Sequence, residues 1–208
     1  NSDAFVPKDW ASRLIQPMLR NSNIASVTPL SNDAEIFNVP FSGRRTTMPP
    51  GIADSIDASL RKYASNDTYQ SAPTGVGFCI AINQNYLAKI PKFDARFGKG
   101  YGEEVDWCCR ISELGGCHVV QPSLFVEHRG AASFGSNEKQ AAIARNNQII
   151  SKRFPQYDLS VEQFIAEDPI RTARIFAALT LLSAQQDQVD IYIAHSLGGG
   201  AEQYLEER

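Results

Sequence analysis

Glu103, Glu104 and Asp106 crowd together in the stretch GYGEEVDWC. Acids at the start of a helix complement its dipole and cap free amides, and Asp106 is spaced to pair with Arg110 one turn on. The same residues can do chemistry. Like charges held together raise the pKa of at least one of them, which suits a general base; a helix N-terminus pulls the other way. Gly98, Gly100 and Gly102 precede the acids and would let a ligand approach the backbone closely. Two further groups stand apart. His128 ends an apolar run, where a histidine is commonly structural. Asp3, in NSDAFVP, reads by itself as a cap or turn residue.

A nucleophile is suggested near the carboxyl end by AHSLGGGAEQ, with Ser196 placed as in a G-x-S-x-G elbow and Ala194 in the first glycine position. The hydrolase order is nucleophile, acid, histidine. His118, His128 and His195 all precede Ser196, so a triad cannot close within this chain. A strand running into a glycine-rich turn and a helix start also aims backbone amides at an anion. A plain structural turn is the alternative. The four cysteines, Cys79, Cys108, Cys109 and Cys117, have neither CxxC nor zinc-ligand spacing and read as reduced, half-buried thiols of a cytoplasmic protein.

The elements that must hold these groups follow from patterning. The 208 residues are 43% hydrophobic and 21% charged, as in an ordinary globular protein. A net charge of −3 without a basic stripe argues against nucleic-acid binding. The longest apolar run, IFAALTLLSA, is too short to span a bilayer. Trp10, Leu14, Met18 and Leu19 predict a helix after Pro7, kinked or shortened at Pro17. IASVTPL predicts a buried strand, the stretch from Ser31 to Gly51 a long loop, and Ile52 to Ala64 a helix. TGVGFCIAI predicts a central strand covered on both faces. A short helix is expected from Gln84 to Lys89, then one carrying the acids, with Trp107, Ile111 and Leu114 inward and Gly115-Gly116 ending it. CHVVQ and LFVEH predict two short strands. Helices follow Ser136, one started by Asp168-Pro169, and VDIYIA is a last strand. Such alternation predicts an α/β class with a mostly parallel or mixed sheet.

In order, NSDAFVP, SVTPLSNDAEIFNVP, PTGVGFCIAI, FDARFGKGYGEEVDWCCRISELGG and LFVEHRGAASF resemble the family-2 glycosyltransferases of the GT-A fold, over about Asn1 to Phe134. The resemblance implies a partial, Rossmann-like GT-A domain with a mixed sheet over 1–136 and a helical extension over 137–187, of the kind found in bacterial polysaccharide-synthesis enzymes. NSD resembles the DXD motif, with Asn1 in its first position. Asp3 and His128 would then hold Mn²⁺ or Mg²⁺ against a nucleotide-sugar diphosphate. Glu104 would be the general base toward a glycan or lipid-linked acceptor, with Glu103 and Asp106 supporting it or positioning the acceptor. Donor or acceptor contacts would fall to Gly75, Gly77, Gly100, Tyr101, Gly102 and Trp107.

In this family the motif follows a nucleotide-binding half, so the resemblance implies that this chain is the acceptor-side half. By itself it would then transfer little or no sugar, and would self-associate through an exposed sheet edge. The HSLGGGAEQYLE stretch resembles the first loop of family-4, GT-B-fold glycosyltransferases, which makes 188–208 the start of a second domain. A cytoplasmic location at the inner membrane face goes with this reading. A non-catalytic carbohydrate- or partner-binding module, and a metal-dependent nucleotide-sugar hydrolase using Asp3, Glu104 and His128, are the alternatives.

Overall fold

The computed structural model describes residues 1–65, 68–98, 101–130, 137–186, 188 and 190. Their elements are β1 (Ala4–Phe5), α1 (Trp10–Arg20), β2 (Ile24–Leu30), α2 (Ile52–Tyr63), β3 (Gln70–Ala72), β4 (Ala81–Ile82), α3 (Gln84–Lys89), α4 (Glu103–Glu113), β5 (Cys117–Phe125), β6 (Glu127–His128), α5 (Asn137–Arg153), α6 (Tyr157–Glu167) and α7 (Arg171–Ser183). The sheet is mixed, in the order β3-β5-β2-β4. Its two inner strands run parallel, and both edges are antiparallel. Every residue of β2 is buried, as a strand covered on both faces requires. The helix α2 packs on β5 and α7, and α1 packs on β2. The chain is therefore an α/β protein with a mixed sheet. No helix among the described residues is long and apolar enough to cross a membrane.

Pro17 neither breaks nor shortens α1. A proline leaves the carbonyl four residues back without its helical donor, here Arg13, and the Gln121 side chain supplies one at 3.3 Å. The two expected strands CHVVQ and LFVEH are instead one long strand, β5, followed by the two-residue β6. Pro122 is absorbed where the register against β2 slips: Gln121 faces Pro29, but Phe125 faces Leu30. A buried ion pair, Arg13 with Asp57 at 2.8 Å, serves the backbone freed by that slip. Arg13 donates to the Ser123 carbonyl, and Asp57 accepts from the Phe125 amide at 2.9 Å.

TGVGFCIAI is not a central strand; only Ala81–Ile82 pairs, at the sheet edge. In the irregular stretch 73–80, two amides bond to side chains rather than to a neighbouring strand. Gly75 donates to Cys108 Sγ at 3.3 Å and Val76 to Thr28 Oγ1 at 3.2 Å. A Cβ at Gly75 would meet Ile80 Cδ1 at 2.3 Å and the Ser26 and Thr28 hydroxyls at 3.2 Å, so a side chain there would push Ile80 aside. Leu114 is 51% exposed rather than inward, since α4 ends at Glu113 and the chain turns through Gly115 at φ +81°. Asp168 closes α6 instead of opening α7, and its carboxylate pairs with Arg174 at 3.0 Å. The four cysteines are free: Cys108 and Cys109 buried, Cys79 half-buried and Cys117 exposed. The VDIYIA strand, the turn around Ser196 and residues 131–136 lie outside the described residues.

Candidate active site

Asp3 and His128 are far apart in sequence and meet through the small sheet formed by β1 and β6. Ala4 pairs with His128, and Arg129 N donates to the Asp3 carbonyl at 3.0 Å. This sets Asp3 Oδ2 3.4 Å from His128 Nε2. The other ring nitrogen, Nδ1, lies 2.7 Å from the Asp33 carbonyl. A carbonyl only accepts, so Nδ1 carries the proton, and a neutral ring turns its Nε2 lone pair toward the carboxylate. Such a face needs a proton or a cation between its two members. A metal-bound histidine has the same outer hydrogen bond to a backbone carbonyl. Mn²⁺ or Mg²⁺ would suit the Asp3 carboxylate, with the His128 imidazole as a nitrogen ligand beside it. Among the described residues no group of three His, Cys, Asp or Glu forms a fuller metal cluster. Sites that combine few protein ligands with waters and substrate phosphates have this sparse form.

Asn32 was not singled out by the sequence and holds this pair in place. Its amide accepts from His128 N at 2.8 Å, and donates to the His128 carbonyl at 3.0 Å and to that of Thr46 at 2.9 Å. Arg45, from the same long loop, donates to the Arg129 and Gly130 carbonyls, both at 2.9 Å, and pairs with Asp33 at 3.3 Å. Next to His128 opens a cavity of about 410 Å³, with Arg45 and Arg129 in its wall. The loop between Ser31 and Gly51 is thus long because it braces β6.

The acids of α4 have separate fates. Asp106 is fully buried between Arg110 at 2.7 Å and Arg153 at 2.5 Å; it ties α4 to α5. Glu103 and Glu104 each bury one carboxylate oxygen, Oε2, that has no hydrogen-bond partner among the described residues. Glu103 has its pKa raised, first by burial, with Glu104 adding to the rise. The other oxygen of Glu104 points at the irregular loop: a Cβ on Gly77 would sit 3.2 Å from Glu104 Oε1. Phe78, the next residue, stacks on the His128 ring with centroids 5.2 Å apart, and its carbonyl accepts from Asn1 N at 2.9 Å. Glu104 and the Asp3–His128 pair therefore lie against consecutive residues, whose Cα atoms are about 3.8 Å apart.

Before α4 the chain passes through Tyr101 at φ +72° and Gly102 at φ +107°. The conformation is unusual for a tyrosine. The buried Asn146 of α5 holds it, donating to the Phe97 carbonyl at 3.1 Å and the Tyr101 carbonyl at 2.7 Å. Tyr101 is 45% exposed and, with Gly102 and Glu104, lines a second cleft, of about 610 Å³, closed on its far side by α5 and α6. Glu35 also lines it, at φ +53°. It keeps contact with solvent through the open cleft, yet protein crowds it. Its pKa is raised, first by lost solvation and then by Glu104 and Asp33.

Of the residues expected to touch ligand, Trp107 does not. It is 1% exposed, its indole N–H bonded to the Ile90 carbonyl at 2.9 Å, in a core with Tyr86, Cys108 and Ile111. Gly75 is buried against β2, and Gly100 lies outside the described residues. The Cys108 and Cys109 thiols are poor nucleophiles, since burial pushes Cys108 up to about 11 and Cys109 up to about 12. No family model matches the chain, and no curated protein matches it either.

Proposed function

We propose that this chain is the acceptor-side half of a GT-A glycosyltransferase, which moves a sugar from a nucleotide-sugar donor to a hydroxyl of a glycan or lipid-linked sugar by inverting displacement. What supports the reading is one juxtaposition: Glu104 on one side of the Gly77–Phe78 loop, the Asp3–His128 pair on the other. Displacement at a sugar carbon needs a base near the incoming hydroxyl and positive charge near the departing diphosphate.

In this reading Glu104 accepts the acceptor's hydroxyl proton at Oε1, the oxygen that faces the Gly77 loop. Its buried Oε2 has no hydrogen-bond partner among the described residues. Gly77 leaves room for a sugar above the loop. Asp3 and His128 would hold Mn²⁺ or Mg²⁺, which would supply charge neutralisation for the diphosphate. Asp106 binds no substrate here; it fixes the helix that presents Glu104. The family, the bacterial polysaccharide setting and the location at the inner membrane face belong to this proposal, as does self-association through the edge strands β3 and β4.

The test has two arms. Mn²⁺ titrated into the 208-residue chain should bind, and His128→Ala or Asp3→Ala should weaken binding at least about tenfold. The chain extended upstream of Asn1 should release nucleoside diphosphate from at least one nucleotide sugar only when an acceptor and the metal are present. Release that ignores the acceptor would instead indicate a nucleotide-sugar hydrolase. No release from any nucleotide sugar, with Mn²⁺ binding indifferent to both variants, sinks the reading.

A further inference from the structure

The two cavities beside the Gly77–Phe78 loop differ in charge. The one at His128 is lined by Arg45, Arg129 and Glu127, with Arg129 paired to Glu127 at 3.0 Å and Arg45 to Asp33 at 3.3 Å, so its charges are matched. The one at Glu104 carries four carboxylates, Glu35, Glu104, Asp158 and Glu162, and no cation among the described residues that line it. None of the four has an ion-pair partner among the described residues. Two tyrosines, Tyr101 and Tyr157, share the lining. Aromatic rings beside carboxylates suit a polyhydroxylated ring, whose C–H face packs on the tyrosine while its hydroxyls donate to the acids. The same wall repels an anion: an added negative charge meets several carboxylates that have no ion-pair partner among the described residues. The crowding already shows within the protein, since Glu104 and Asp33 both raise Glu35 after its burial does.

We infer that the 610 Å³ cleft binds a neutral or amine-bearing sugar and excludes sugars carrying a carboxylate, phosphate or sulfate. Resting on the transferase reading, this sugar is the acceptor's terminal residue. The helices α5 and α6 then set acceptor specificity, through Asp158 and Glu162 one turn apart on α6. Both are exposed, so they can bear on the cleft's charge without supporting the core.

Three probes that share one ring test this: methyl glucoside, methyl glucosaminide with its free amine, and methyl glucuronide. Their binding to the 208-residue chain is read by saturation-transfer NMR and titration, which need no turnover. Glucoside and glucosaminide should bind, and glucuronide about tenfold more weakly or not at all. The double variant Asp158→Asn/Glu162→Gln should narrow that gap to about threefold, and added salt should narrow it too. Glucuronide bound as well as glucoside, no binding of any of the three, or a gap unmoved by the double variant overturns the inference. The transferase reading fails separately. Charge-ordered binding by a protein that never turns over a nucleotide sugar keeps the cleft's selectivity and removes the transferase. Transfer to glucuronide-ended acceptors at the neutral rate removes the selectivity and keeps the transferase.

Discussion

Two places in this protein bury carboxylates, and they treat them in opposite ways. At the slip in β5, Asp57 meets Arg13 in two hydrogen bonds, of 2.8 and 2.9 Å, and takes the Phe125 amide as well. Every bond serves the fold: α1, α2 and the irregular strand are joined at one point. At the start of α4, Glu103 and Glu104 each hide an oxygen with no partner among the described residues. A buried acceptor without a donor costs about 1–3 kcal/mol, so such an arrangement persists only where something else requires it. Asp106 sits in the same helical turn with two arginines and belongs with Asp57. Position on the helix does not separate the two kinds of acid; their partners do.

The largest effect expected from this contrast is on stability. Arg13→Met leaves the Asp57 charge buried, and breaking such a pair costs about 3–5 kcal/mol. Urea denaturation should show a loss of that size, and the double variant Arg13→Met/Asp57→Leu should recover part of it. A single variant costing under about 1 kcal/mol would place the Arg13–Asp57 pair outside the fold's supports.

Glu104→Gln should do the reverse. With a general base removed, acceptor-dependent turnover of the upstream-extended protein should fall by about 10²–10⁴. The urea midpoint should hold or rise, because a buried unpaired carboxylate is replaced by a neutral amide. Asp106→Asn is the control inside the same turn, and should lose stability by leaving Arg110 and Arg153 short of a counter-charge. If the two variants behave alike, the distinction between paired and unpaired acids has no functional content.

How far this contrast can be read from sequence depends on the range of the contacts. Periodicity placed β2, α2 and α3, and glycines marked the end of α4, because those signals are local. The acids of GYGEEVDWC stood out by type, but Asp106's second arginine, Arg153, comes from α5 and leaves no local trace. Gly75 and Gly77 read as strand residues because small and β-branched neighbours surround them. The Cys108 and Thr28 side chains take the amides of Gly75 and Val76 instead, and nothing in the run itself announces that. The gap expected between CHVVQ and LFVEH is a register slip at Pro122 inside one strand. Asn32 and Asn146 went unnoticed, since an asparagine in a loop or a helix gains its meaning from the backbone it reaches. Asp3 and His128 were joined only by resemblance; the pairing of β1 with β6 gives that expectation a geometry.

His118 offers the smallest and most easily tuned break in the contrast, because its satisfaction depends on pH. The ring is buried. Nε2 donates to the Cys108 carbonyl at 2.9 Å, so Nδ1 accepts from Ser26 Oγ at 2.7 Å. Burial pulls its pKa from 6.5 down to about 4, against a smaller upward pull from the Cys108 carbonyl. Between those values the unfolded chain binds a proton that the folded one does not. The stability held by neutral His118 is therefore complete above about pH 6.5 and drains as pH falls toward 4. Across about pH 7 to pH 5 the loss should be on the order of 2 kcal/mol. Glu103 and Glu35, with raised pKa values, act in the opposite sense. Their contribution is present below about pH 4.5 and lost as pH rises through their folded values, so they soften the lower end of the window. Urea denaturation at several pH values should show the decline in the parent protein and a flatter profile in His118→Asn. Equal slopes in the two would mean that His118 is not the group whose protonation opposes folding.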